Sequence, residues 1–252
     1  MTGHIAQIWR HPIKAHGREA MVKARLEPGR ALPFDRQWGV LHEAAKLAEN
    51  ADGWEECRNF SRGAGVPLLQ AMEAHFDLPT GTVTLTHPKV PGLTINPDKQ
   101  EDQTRFIKWV QHLTPKGRPK PTRIIKAKNA MTDSQTVSLS LMNLASHQAI
   151  CSRIGRELSP LRWRGNLLVS GLFPWEERGW VGKHIRIGKA EFYIRKEITR
   201  CRMTEASTRT GERDANTLGA LRDGWGIQEM GVHAVVTKGG EITVDDKIEV
   251  LE

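Results

Sequence analysis

The sequence predicts a mainly β chain with a few flanking helices, and three observations carry that reading. His4-Ile5-Ala6-Gln7-Ile8-Trp9-Arg10 reads as a strand ended by Pro12 and Gly17, and stretches such as Ala20 to Leu26 and Thr82 to Thr86 alternate apolar with polar residues, the period-two signature of strands that bury one face. The 23 glycines and 13 prolines are spread along the chain, so these runs are kept short and separated by turns. Only Gln103 to Leu113 is strongly helical in pattern, with Phe106, Trp109, Val110 and Leu113 at i, i+3, i+4 and i+7.

In chain order, the first strand ends at His11-Pro12, and Lys14 falls in the turn that closes at Gly17. A second strand runs from Ala20 to Leu26, and Pro33 to Leu41 is a further apolar run containing Asp35, Arg36 and Trp38. Glu43 to Gly63 is polar and lacks periodicity, which predicts a mobile loop. Val66 to Phe76 alternates at period two and, with the turn and β-branched run from Leu78 to Thr86, predicts a hairpin; Gly92 to Ile95 adds a short strand. Thr114 to Pro121 holds three prolines and several basic residues, an extended connector able to touch an acidic partner.

The second half opens with an alternating strand from Thr136 that runs into a helix, with Asn143 or Ser146 as N-cap and Ile150, Ile154 and Leu158 continuing its face. Leu161 to Gly171 leads into an apolar strand, and Trp180-Val181-Gly182 with Ile185 to Gly188 predicts a strand pair. The apolar run Ala190, Phe192, Tyr193, Ile194 then delivers the chain to Arg200-Cys201-Arg202.

At 252 residues the chain can bury one large or two small cores. Met1 to Arg10 has no charged-then-apolar leader and no apolar run is long enough to span a bilayer, so no membrane span is expected. Cys57, Cys151 and Cys201 are odd in number and far apart, which argues against a disulfide framework and for a reducing, cytoplasmic setting. Lys and Arg total 37 against 29 Asp and Glu, a net charge of +8, but the bases are dispersed and not clustered with aromatics. Nucleic acid is therefore disfavoured as a partner. No His or Cys pair has zinc-ligand spacing, and no phosphate-binding glycine loop is present.

Cys201 has an arginine on each side. Cationic surroundings favour the thiolate, which is both nucleophile and metal ligand; a lone cysteine at a strand end is otherwise an ordinary packing residue. What distinguishes it is the text around it: Arg200-Cys201, Thr210-Gly211, Gly231-Val232-His233-Ala234 and Gly240 to Asp246 in that order, preceded by Arg164-Gly165-Asn166 and, near the N-terminus, by Pro12-Ile13-Lys14 and Asp35-Arg36-x-Trp38. This succession resembles the MOSC domain family with its N-terminal β-barrel region. Such domains occur in molybdenum cofactor sulfurases and in amidoxime-reducing enzymes. The pattern departs at His11, where the family has tyrosine, at Ala15, where the amidoxime reducers have serine, and at Ser207-Thr208, where relatives carry Asp-Pro.

The resemblance implies a β-barrel fold divided as an N-terminal region over 1–97, a helix and connector over 98–121, and a MOSC barrel over 122–252. It implies molybdenum cofactor as the bound group, with Cys201 as metal ligand and catalytic residue, and Lys14, Arg36, Thr136, Arg164, Asn166, Thr199 and Arg200 as cofactor contacts. Those residue types suit it, since thiolate is a soft donor and guanidinium forks fit phosphate and pterin oxygens. The implied activity is reduction of small N-hydroxylated or N-oxide substrates. With no cysteine set for an iron–sulfur cluster, electrons would come from a separate flavodoxin, ferredoxin or cytochrome b5-like protein. Two readings of other classes stand beside it: a carrier of cofactor or of persulfide sulfur on Cys201, and a basic nucleic-acid-binding module.

Overall fold

The computed structural model describes residues 3–47 and 54–251. Its first half contains β1 (His4–Arg10), β2 (Glu19–Met21), β3 (Lys23–Leu26), β4 (Trp38–His42), β5 (Glu73–Asp77), β6 (Thr82–His87), β7 (Val90–Ile95), α1 (Gln100–Gln111) and β8 (Pro121–Lys126). Its second half contains β9 (Leu139–Asn143), α2 (Leu144–Ile154), β10 (Leu167–Ser170), β11 (His184–Ile187), β12 (Ala190–Thr199), α3 (Thr217–Trp225), β13 (Glu229–Lys238), β14 (Gly240–Thr243) and β15 (Ile248–Leu251). The fold is mainly β, with three α-helices among the described residues on its flanks.

Eight strands form one sheet in the order β15-β11-β12-β13-β9-β10-β1-β2. All pairs are antiparallel except β9 with β10, which run parallel because α2 carries the chain back between them. The sheet curls until its ends meet. Ile5 N donates to Asp246 O at 3.0 Å, Asp245 N to Ile5 O at 2.8 Å and Ile248 N to Gly3 O at 2.8 Å, which ties the lead-in to β15 onto β1. The inward residues of alternating strands fill the interior, among them Ile5, Leu139, Leu141, Val169, Ile185, Phe192, Ile194, Val232 and Ala234. The β3–β14 ribbon closes the core by adding Ala24, Leu26 and Ile242.

A second core lies under the β5-β6-β7 meander and the β4–β8 ribbon, where α1 buries Phe106, Ile107 and Val110 against Val83, Leu85, Ile95 and Ile124. β1 pairs with β10 and β4 with β8, so strand pairing joins chain on both sides of the 98–121 stretch.

Several expectations need correction. The strand expected over Ala20 to Leu26 breaks at Val22, which is exposed, because β2 pairs with β1 while β3 pairs with β14. The apolar run from Pro33 to Leu41 becomes strand only from Trp38, since Phe34 and Arg36 take positive φ in a turn. Within Val66 to Phe76, Pro67–Ala71 is a 3-10 helix, and the hairpin begins at Glu73. Proline at the first helical position and a run of long side chains win there over the weak alternation. Trp180 ends a 3-10 helix and is not in a strand. α3 was not expected from the pattern, because glycines inside it lower its helix propensity; its signals are the Asn216 cap and left-handed Gly226. α2 is capped by Asn143, whose side chain accepts from Ala145 N, while Ser146 bonds to the buried Glu177. Of the loop expected over Glu43 to Gly63, residues 48–53 lie outside the described residues; the rest holds a 3-10 turn at Cys57–Asn59 and the buried Phe60.

Candidate functional site

A cavity of about 310 Å³ opens where the turn after β1, the turn before β4, the segment after Trp163 and the end of β12 converge. Lys14, Arg36, Arg164, Asn166, Thr199, Arg200 and Cys201 all line it; Thr136 does not. Ser138 and Ser140 form that part of the wall instead.

Each of these side chains is positioned by local backbone. Lys14 N donates to Trp38 O at 2.7 Å and Arg36 N to His11 O at 2.7 Å, which locks the two N-terminal turns together. Ala15, Arg36 and Arg164 are three of the six non-glycine residues with positive φ among those described. Strained backbone concentrated around one cavity is held by surrounding contacts and marks places where side-chain direction matters. Arg164 takes its left-handed conformation as C-cap of the 3-10 helix Pro160–Trp163. Cys201 follows β12 as N-cap of the 3-10 helix Arg202–Glu205, and it is exposed.

The loop beyond Cys201 is pinned to the N-terminal half through Arg18 and Ala64, and to the segment before Trp163 through Arg162. Arg18 donates to Thr208 O at 3.1 Å, Arg213 to Ala64 O at 2.8 Å, and Arg162 to Thr204 O at 2.9 Å. Gly211 is required there, because its φ is +74 and a Cβ would lie 2.5 Å from Leu68 Cα.

The polar groups divide into those already satisfied and those left open. Arg200 spends its guanidinium on Met230 O, Trp163 O and Met142 Sδ, so it braces the wall while adding charge. Asn166 is likewise used up. Its amide donates to Trp9 O and its Oδ1 accepts from Ser140 N and Oγ, sewing β10 to β9 and β1. Lys14 Nζ donates to Met131 O at 2.9 Å and pairs with Asp133. Arg36 pairs with Asp35 and donates to Arg164 O at 3.0 Å. Arg164 donates to Gly17 O at 3.0 Å, but its Nη1 is buried with no partner among the described residues, as is Ser134 Oγ on the same cavity.

The walls carry six cations (Lys14, Arg36, Arg62, Arg164, Lys196, Arg200) against two carboxylates, Asp133 and Glu197. Burial, followed by the Arg36 and Arg18 charges, pushes Arg164 down to about 9, and burial pushes Arg200 down to about 10. His233, whose Nδ1 lies 3.0 Å from Ser138 Oγ, is pushed down to about 4 by burial first and by Arg200 next. His11 is pushed down to about 3 by burial and the nearby Arg164 and Arg36, so it faces Asp35 as a neutral ring. Desolvated like charges disfavour one another. An anion in the cavity relieves that repulsion and supplies the missing acceptor to Arg164 Nη1. The site can therefore hold an anionic ligand beside an accessible thiol.

Sequence reasoning missed His233, Asp133, Ser134, Ser140, Arg62 and Lys196. For His233 and Ser140 the signal was present in the period-two rule. Val232 and Ala234, like Leu139 and Leu141, point into the barrel, so the residues between them face the other side. Asp133, Ser134 and Arg62 lie in irregular segments with no such signal. Among the described residues no group of three or more His, Cys, Asp and Glu side chains could by itself hold a metal, and no helix is long and apolar enough to cross a membrane.

Residues 126–249 match the MOSC domain family. The molybdenum cofactor sulfurase of Caenorhabditis elegans is 35% identical over 105 residues, 41% of this chain but 14% of that protein, so the chain matches a small part of the sulfurases. The mitochondrial amidoxime-reducing component 1 of Mus musculus is 28% identical over 240 residues, covering 84% of this chain and 68% of that one. The solved structure of the YuaD protein from Bacillus subtilis shares the fold, with a TM-score of 0.50 at 14% identity over 99% of this chain and 96% of that one.

Proposed function

The chain is a MOSC-domain protein, and from that premise we propose that its cavity binds molybdenum cofactor and that it reduces small N-hydroxylated or N-oxide compounds with electrons from a separate redox protein. The observation that carries the reading is the convergence of the exposed Cys201 with Lys14, Arg36, Arg164 and Arg200, drawn from four distant segments, on one cavity. The residues fit the group. A pterin dithiolene bearing phosphate is a polyanion, and the cavity offers six cations, an unpartnered guanidinium Nη1 and a soft sulfur donor.

When bound, the cofactor would supply two-electron oxygen-atom-transfer chemistry. This chain's own part is to hold and to protonate. Arg164 and Arg36 bind phosphate or pterin oxygens, Lys14 adds charge from the opposite turn, and Arg200 keeps the Cys201 backbone in place through its bonds to Met230 O and Trp163 O. Removal of oxygen from a hydroxylamine or amidoxime consumes two electrons and two protons and releases water. His233, neutral and bonded to Ser138, lies on the cavity wall where it can pass a proton inward from solvent. The positive surface favours an acidic electron donor such as a flavodoxin, a ferredoxin or a cytochrome b5-like protein.

The exposure of Cys201 supports a second reading, in which the thiol carries sulfur as a persulfide, or the domain carries cofactor, for delivery to another protein. Turnover separates the two. The metal-loaded protein given reduced viologen should reduce an amidoxime or hydroxylamine without any sulfur donor. A fully metallated sample inert toward hydroxylamines, amidoximes, N-oxides and sulfoxides would sink the reductase reading, and cyanide-labile sulfur that depends on Cys201 would establish the carrier.

A further inference from the structure

A second recess of about 230 Å³ adjoins the main cavity, sharing Arg62 and Ala64 with it. Its walls include Arg58, Arg62 and Arg118 and, among the described residues, no carboxylate. Arg58 is engaged by Glu56 at 2.5 Å, while among the described residues Arg62 and Arg118 form no ion pair. Arg118 comes from the proline-rich basic connector, whose charge the main cavity leaves unused.

Ser61 also lines the recess. It is only 3% exposed, and among the described residues its hydroxyl has no hydrogen-bond partner. A buried unpaired hydroxyl is costly, and a ligand that brings acceptor oxygens removes that cost. Beside it, the Arg62–Gly65 turn is closed by Gly65 N and Val66 N, both donating to Arg62 O at 2.9 Å. That turn fixes Arg62 on the wall common to the two spaces.

We infer that this recess is a phosphate-binding pocket contiguous with the main cavity, taking a phosphate group carried on the molecule that occupies that cavity or on the substrate that approaches it. Guanidinium groups without carboxylate partners favour a dianionic oxyanion with bidentate acceptors over a single carboxylate. Ser61 donates to one of its oxygens. The two sources, the pyrophosphate of a nucleotide extension of the cofactor or the phosphomonoester of an external substrate, both present a doubly charged set of phosphate oxygens to these residues. The choice between sources rests on the cofactor reading above; the pocket itself does not.

The test is calorimetric titration of inorganic phosphate at low ionic strength into molybdenum-loaded wild type and into the double variant Ser61→Val, Arg118→Ala, with acid hydrolysis of both proteins to release any nucleotide. One equivalent of phosphate bound by wild type, at least tenfold more weakly by the variant, supports the pocket with an external source. No binding by wild type, together with one nucleoside monophosphate released per molybdenum and a lower nucleotide content in the variant, supports it with the cofactor as source. If the protein carries no molybdenum, the cofactor reading falls, yet wild type should still bind one more equivalent of phosphate than the variant. Phosphate binding indistinguishable between the two proteins, with no released nucleotide, overturns the inference.

Discussion

Replacing Arg164 by methionine should stabilise the unloaded protein while weakening its hold on the cofactor. Arg164 is 6% exposed, and its guanidinium sits beside Arg36 and Arg18. The fall of its pKa to about 9, at about 1.4 kcal/mol per tenfold, means that the charged form bears a penalty of roughly 5 kcal/mol. Against this stands one charge-assisted bond to Gly17 O, worth about 1.5–3 kcal/mol. Methionine keeps the length of the side chain and removes the charge, so the unloaded variant should gain about 2 kcal/mol, which for a chain of this size raises Tm by about 2–4 °C per kcal/mol. Bound cofactor reverses the sign. An anion on Nη1 turns the buried charge to advantage, and its loss should lower cofactor affinity by roughly 10- to 100-fold. Differential scanning fluorimetry on unloaded protein and molybdenum analysis of co-purified protein read the two effects separately. A variant that melts below wild type yet keeps its full molybdenum content would refute the reasoning.

Cys201→Ser should fold as wild type and lose turnover, since serine offers a harder and far more basic donor, whereas Cys151→Ser, buried against His147 on α2, should leave turnover unchanged in the viologen assay. Gly211→Ala should cost about 2–4 kcal/mol in urea unfolding, because the left-handed backbone is strained for alanine and the new methyl meets the Leu68 backbone. Acid should destabilise the protein through its buried imidazoles. His11, His16 and His233 have folded values near 3, 4 and 4, below the ordinary 6.5, so the unfolded chain binds more protons below neutrality. Their contribution is fully present above about pH 7, is lost as pH falls through 6.5, and levels off below the folded values. Between pH 7 and 5 the loss should be roughly 1–2 kcal/mol per histidine, and His16→Gln should flatten the slope of stability against pH.

By itself the sequence determined the local elements and the identity of the chemistry-bearing residues. The alternation from Thr82 to Thr86 and in the run from Thr136 to Leu141, the apolar face of α1 and the Asn143 cap are short-range properties, set by side-chain period and by hydrogen bonds within a few residues, and they are legible from neighbours alone. So are Cys201 with its two arginines and the order of the short motifs. Where the reading failed locally, at Val22, Arg36 and Pro67–Ala71, a pairing partner or a left-handed residue overrode a weak pattern. Convergence was decided by the tertiary structure alone. Lys14, Arg36, Arg164 and Cys201 meet because β1 pairs with β10, the turn bearing Arg36 bonds back to His11 O, and the sheet curls until residues 245–248 reach β1. Tertiary structure also decided which polar atoms are free. Nothing in Arg164-Gly165-Asn166 distinguishes the asparagine, whose amide is consumed between strands, from the arginine, whose Nη1 is left without a partner. That difference arises from burial and from groups more than a hundred residues away in the chain, and a linear pattern carries no record of either.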